Sequence, residues 1–180
     1  MSPLPSSATD LAARLSGSWT LADTSTVARF TVGNLVTKTV SGSMPITSAS
    51  LTVCGDSSIS VQVDADLAAI DTGHPRRDRD LRKPALLDLD RHPRLHFRAD
   101  EIPAEGIRVV AEGWQVPGLL TVKGTTAEIV LDVEVQPAGA AGLRVRATGR
   151  VDRRDFGIKA PRFMIGAVVE FEVDVPFARS

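Results

Sequence analysis

Residues 169–175 read Val169-Glu170-Phe171-Glu172-Val173-Asp174-Val175. Apolar and acidic residues alternate without a break. Successive side chains of an extended chain point to opposite faces, so this segment has one dry face and one charged face. A helix does not fit, because its apolar positions recur every three or four residues. The same period runs upstream. Thr26, Ala28, Phe30 and Val32 oppose Val27, Arg29 and Thr31, and Val40, Gly42, Met44 and Ile46 form a second run. Ile59, Val61, Val63 and Ala65 alternate with Ser60, Gln62 and Asp64. Leu95, Phe97 and Ala99 alternate with Arg94, His96 and Arg98. Val116, Gly118, Leu120 and Val122 follow, then Ile129, Leu131, Val133 and Val135, then Leu143, Val145, Ala147, Gly149 and Val151.

Eight or nine strands with one wet face predict an antiparallel sheet, since parallel strands read as continuous apolar runs. Turn residues separate most of them: Cys54-Gly55-Asp56, Glu105-Gly106, Lys123-Gly124 and Ala138-Gly139. Many evenly spaced strands point to a barrel or a sandwich, and a barrel also removes exposed strand edges. The expected class is all-β. Residues 1–17 are read as a tail or short helix, with Asp10 capping Leu11–Leu15, and residues 18–180 as one β domain. Residues 72–92 break the period and read as a short helical insertion. Thr72 is the expected N-cap of a helix over Arg77–Arg82 that ends before Pro84. Ala85–Asp90 is expected to make a second turn.

Composition narrows the class. The 180 residues are 43% apolar and 24% charged, which is globular chemistry. A net charge of −1 lacks the footprint of a dedicated nucleic-acid binder. The lone Cys54 excludes an internal disulfide. No apolar run approaches the ~20 residues of a membrane-spanning helix. The first ten residues have no basic n-region and no apolar h-region, so the expectation is a soluble, cytoplasmic protein. Aromatics are sparse, with six Phe, two Trp and no Tyr, so the core must be built mainly from Val, Leu, Ile and Ala.

No catalytic arrangement stands out. There is no Gly-x-Ser-x-Gly elbow, no His-Glu-x-x-His and no phosphate-cradling glycine loop. His92 and His96 have helical metal spacing, but Pro93 and the strand pattern around His96 oppose it. Glu170, Glu172 and Asp174 face away from the apolar side. No enzyme activity, cofactor or metal is expected. Eight Arg/Lys and four Asp between His74 and Arg98 give that stretch +4 and leave −5 for the rest. Arg76, Arg77, Arg79, Arg82 and Lys83 can hold an anionic head group through charge-assisted bonds. Their interleaving with acids equally fits a salt-bridged surface loop. Inside, alternation leaves a filled core and a lined pocket both open, and the filled core is the commoner arrangement. Gly42, Gly118 and Gly149 on the inward faces either widen a cavity or mark bends.

Taken in order, the motifs resemble the YceI family of lipocalin-like polyisoprenoid-binding proteins. The pieces are Trp19-Thr-Leu21, Thr26-Val-Ala-Arg-Phe30-Thr-Val32, Lys38-Thr-Val40-Ser-Gly42, Ile70-Asp-Thr72, Arg77-Asp78-Arg-Asp-Leu81 and Leu87-Asp88. They continue with His92-Pro93-Arg-Leu95-His-Phe97, Gly118-Leu-Leu120-Thr121-Val-Lys-Gly124-Thr-Thr126, Arg153-Arg-Asp155-Phe156-Gly157-Ile158 and Ile165-Gly166. The resemblance implies an elongated eight-stranded antiparallel barrel whose long apolar channel holds a polyisoprenoid or similar amphiphile. On that basis Phe30, Val32, Met44, Val61, Phe97, Trp114, Leu120, Val122, Phe156, Phe163 and Phe171 are the expected channel residues. Arg77-Asp78 with Leu81 is expected to pin the insertion over the barrel mouth, and Phe156 to pack near the other opening. The family usually has His where this chain has Ser25 and Asn34, so no head-group contact is carried to those two. The function expected is binding of a long-chain lipid, for sequestration or transport. An enzyme acting on such a lipid, or a module binding a partner or an anionic surface through the basic insertion, is the alternative. The sequence leaves a homodimer open.

Overall fold

The computed structural model describes residues 8–33, 39–110, 113–160 and 165–180. The chain runs α1 (Ala8–Leu15), β1 (Gly17–Leu21), β2 (Val27–Gly33), β3 (Thr39–Val53), β4 (Ile59–Asp66), α2 (Pro75–Leu81) and β5 (Arg94–Ile102). It continues through β6 (Arg108–Val110), β7 (Gly113–Val122), β8 (Thr125–Ala138), β9 (Gly142–Asp152) and β10 (Val168–Arg179). Every pairing is antiparallel. The order is β10-β2-β3-β4-β5-β7-β8-β9, and β9 pairs back onto β10, so the sheet closes into an eight-position barrel.

Ten strands fill those eight positions because two positions are shared. β2 pairs Val32 with Val169 and Val27 with Pro45, while β1 lies further along the same track, pairing Trp19 with Arg179 and Thr20 with Ser50. The break between them is a side-chain-capped turn, in which the Asp23 carboxylate accepts from Ser25 N at 2.8 Å and Ser25 Oγ at 2.6 Å. β5 and β6 share a track beside β7, through Phe97–Leu120 and Arg108–Gln115. The alternation showed the long strands clearly; β6, three residues long, carries no period of its own.

The faces are those the period requires. Outward, the β10 acids meet β9 arginines: Arg144–Asp174 at 2.7 Å, Arg146–Glu172 at 3.1 Å and Arg150–Glu170 at 3.3 Å. Exposed pairs of this kind add about 0–1 kcal/mol each, so they set register and cancel charge more than they stabilise. Inward, Phe30, Phe97 and Phe171 each lie over a glycine: Gly42, Gly118 and Gly149. The absent side chains are therefore seats for phenyl rings in the wall, and they do not widen the interior.

The two ends differ. At one, α1 brings Ala12 and Leu15 into the core, and Ile107 joins them. At the other stand the 67–93 insertion, the two-residue Lys123-Gly124 hairpin and the β9–β10 connection. Both hairpin residues have positive φ, 52° and 72°, as a tight primed turn demands. The insertion corrects the expected cap. Helix α2 begins at Pro75, and His74 Nδ1 accepts from Arg77 N at 3.4 Å in the N-cap position. Proline suits the first helical position, whose N–H has no partner in any case. Thr72 instead donates its hydroxyl to Asp78 and receives Arg77 Nε at 2.8 Å. Residues 85–90 form turns without a helix, and they bury Leu87 and Leu89.

Candidate functional site

Inside the barrel is a cavity of ≈ 310 Å³. Its wall is aliphatic and phenyl along its length, from Leu15, Ile107 and Trp114 at the α1 end to Leu81, Leu86, Phe156 and Ile158 beneath the insertion. Ten of the expected channel residues stand in this wall: Phe30, Val32, Met44, Val61, Phe97, Trp114, Leu120, Val122, Phe156 and Phe171. Phe163 lies outside the described residues. Nine of them come together because period two turns every second residue of each strand inward, and Phe156 joins them from the 3-10 turn after β9.

One expectation about place is corrected. Phe156 is 2% exposed and packs at the same end as the insertion, not at the opposite opening. β9 ends there, and the connection that follows it bonds to the insertion through Lys159 N and the Ala85 carbonyl at 2.8 Å. Arg153–Phe156 is a short 3-10 turn closed by Gly157 at φ 68°, where an L side chain would be strained.

Three polar side chains border the apolar wall at this end: Thr72, Arg77 and Arg153. Arg77 reaches Thr72 twice, through Nε to Oγ1 at 2.8 Å and Nη2 to the carbonyl at 2.9 Å. Thr72 in turn gives its N–H to Asp78 at 3.1 Å. The Arg77-Asp78 pair thus ties α2 to Thr72, the residue after the Ser43–Asp71 bridge. Arg153 is 5% exposed and donates to the carbonyls of Ile158, Ala160, Ile165 and Gly166 at 2.8–3.2 Å. It clasps the β9–β10 connection over the end of the barrel. Its sequence signal was only membership of the Arg153–Ile158 motif, because a buried arginine bonded solely to carbonyls leaves no charge partner to look for.

The remaining basic residues of the insertion do not reach the cavity wall. Arg76, Arg79, Arg82 and Lys83 are exposed. Arg82 pairs with Asp90 at 2.8 Å and Lys83 with Asp80 at 2.7 Å. The lining aliphatics Ile70, Leu81, Leu86 and Leu87 come from this segment too, and their lack of any period hid them from the sequence reading.

Carboxylates with displaced pKa values lie outside the cavity. Bonds from the Arg154 side chain hold Asp152 down to about 2. Burial pushes Asp64 up, but hydrogen bonds from His96 and Ser48 outweigh it and leave that group lowered. Among the described residues no group of three His, Cys, Asp or Glu is placed to hold a metal ion. No helix of the described residues is long and apolar enough to cross a membrane.

Comparison with known proteins places this geometry. BcnA of Burkholderia cenocepacia superposes with a TM-score of 0.69 at 17% identity, over 84% of this chain and 94% of that one. A polyisoprenoid binding domain from Saccharophagus degradans, implicated in plant cell wall breakdown, gives 0.69 at 16% identity, over 90% and 98%. At such identities the likeness is one of fold. A UPF0312 protein of Serratia proteamaculans (strain 568) is 29% identical over 125 residues, 67% of this chain and 62% of that relative. The match therefore spans less than two thirds of the relative's length. The YceI-like domain model matches residues 19–177, from Trp19 in β1 to Phe177 in β10. That interval takes in every strand around the cavity, and the chain belongs to the YceI-like domain family.

Proposed function

We propose that the protein binds a long-chain isoprenoid or similar amphiphilic lipid in the barrel cavity, for sequestration or transport. The observation that carries this reading is the cavity of ≈ 310 Å³ with an aliphatic and phenyl wall. Its size is at the lower end of the ~300–1,000 Å³ usual for small-molecule sites. Each buried methylene contributes roughly 0.8 kcal/mol, so one isoprene unit gives about 3–4 kcal/mol before the cost of ordering the tail. A dry cavity of ~150 Å³ accepts one benzene, so this one has room for about two benzene volumes, a chain of roughly 12 carbons. A longer chain must displace wall side chains or leave its remainder outside. The name of the Saccharophagus degradans domain supports the isoprenoid class.

The ligand-binding residues in this reading are the ten wall residues above, with Phe163. Arg77 is the head-group contact at the rim, and Arg76, Arg79, Arg82 and Lys83 add a positive field further out. Catalysis has no part in it.

The test is organic extraction of purified, never-denatured protein, with mass spectrometry of the extract. A near-stoichiometric long-chain lipid is expected. An empty extract, followed by no uptake on incubation with polyprenyl lipids, overturns the proposal.

A further inference from the structure

The ladder between β8 and β9 stops partway along both strands. It runs from Ala138–Gly142 to Asp132–Thr148, and residues 125–131 of β8 and 149–152 of β9 have no partner in each other. Elsewhere a second strand takes over where a ladder ends. β6 follows β5 beside β7, and β1 follows β2 beside β3 and β10. Beyond Asp132–Thr148 no strand among the described residues takes over. The far edges of both segments stay bonded, β8 to β7 and β9 to β10, so the facing edges border a seam in the wall.

On the outside the seam lies in a groove of ≈ 1270 Å³. Strands β9, β10 and β2 line one flank of it, and β8, β7 and β5 the other. Val130, 54% exposed, stands on the β8 border. Ile129, Val151, Phe156 and Phe171 border both this groove and the interior cavity, so one layer of apolar side chains separates the two. Phe156 comes from the 3-10 turn at the end of β9, and that turn packs against β8. A stretch of wall held by side-chain packing without ladder hydrogen bonds opens locally at lower cost than a bonded one.

We propose that the seam between β8 and β9 is a side entrance to the cavity and that Phe156 is its plug. This rests on the reading that the cavity takes a lipid. The hydrocarbon end passes between the two strands when the Phe156 ring moves aside, and it threads neither end of the barrel. The packing of Ala12 and Leu15 from α1 and the bonds between Arg77 and Thr72 then stay intact during uptake.

The test cross-links the seam in the full chain, with C54S in every protein so that only introduced thiols react. V130C/R150C places a cysteine on each border, at positions that would be partners if the register continued. Q136C/R144C, at true register partners of the same two strands, is the control. Each pair is bridged by oxidation, or by a short bis-maleimide where the strands stand too far apart for a disulfide. Protein loaded with farnesol is bridged and chased with excess deuterated farnesol, and native mass spectrometry follows the exchange. Bridging V130C/R150C is expected to slow exchange about tenfold or more against its unbridged form, because local opening is blocked. Bridging Q136C/R144C is expected to change nothing. F156A, without any cross-link, is expected to exchange about threefold faster or more, since the plug is gone. Equal rates for bridged and unbridged V130C/R150C, or equal slowing by both bridges, overturn the entrance and leave lipid binding standing. F156A at the parent's rate overturns the plug. If the parent takes up no farnesol, the lipid reading falls and the entrance with it.

Discussion

The Phe171 ring lies on Gly149 of the neighbouring strand: a β-carbon built on Gly149 would stand 2.5 Å from Phe171 Cζ and 3.0 Å from Leu131 Cδ2. The two residues are direct register partners between β10 and β9. Phe30 and Gly42 repeat the arrangement between β2 and β3, with 2.4 Å to Phe30 Cζ. Phe97 covers Gly118 from a diagonal position, with 2.3 Å to its Cζ. Glycine here makes space for a ring in the wall.

Adding one methyl group at these seats should therefore destabilise the barrel. G149A and G42A are expected to lose about 1–3 kcal/mol, the usual cost of over-packing. G55A is the control, because nothing lies within 4 Å of the β-carbon it would carry. Urea midpoints separate the two groups; equal midpoints for G149A and G55A would remove the seat from the account.

Leu120 is 5% exposed in the middle of the cavity wall. L120W is expected to fill the cavity and lower lipid occupancy to a small fraction of the parent's, while the β circular dichroism spectrum persists. Over-packing should cost about 1–3 kcal/mol of stability. Unchanged occupancy in the folded variant would place the ligand elsewhere.

Arg153 binds four carbonyls of the segment that follows it. Bonds from a charged donor are worth about 1.5–3 kcal/mol each, and some are replaced by water when the donor goes. R153M is expected to lose about 3 kcal/mol or more. The amides of Lys159 and Gly166, which bond to Ala85 and Gly33, should lose hydrogen-exchange protection first. Global destabilisation with those two amides still protected would contradict the clasp.

Asp152 accepts from Arg154 N at 2.9 Å and pairs with the Arg154 guanidinium, which holds its pKa at about 2 against an ordinary 3.8. Asp64 is also lowered. A carboxylate lowered by folding stabilises the native state above its unfolded pKa, and that contribution fades as pH falls through the folded value. The parent should thus be more stable than D152N at pH 7, and the gap should close between pH 3.8 and about 2. Urea titrations at pH 7, 4 and 3 measure it. A gap that is constant across that range would mean that Asp152 acts through its shape alone.

Much of this was legible because sheet faces obey a period of two. Phe30, Val61 and Leu120 were identifiable as inward residues from their neighbours alone. The insertion obeys no period, so Leu81, Leu86 and Leu87 in the wall were not found. Local rules also compete: Thr72 has the chemistry of a helix cap, yet Asp78 takes its hydroxyl and His74 caps the helix. A strand pattern does not show which connections share a rim, so the sequence alone does not place Phe156 at the insertion end.

The closure of the sheet also has an order in time. β10 lies between β9 and the track shared by β1 and β2, and it contributes Val169, Phe171, Val173, Val175 and Phe177 to the cavity. Ribosomes add ~5–20 residues per second, and a domain generally folds as a unit. Until residues 168–179 have been made, the remaining strands lack the partner that closes them into a barrel. A chain without β10 encloses no cavity, because only that strand joins β9 to the track of β1 and β2.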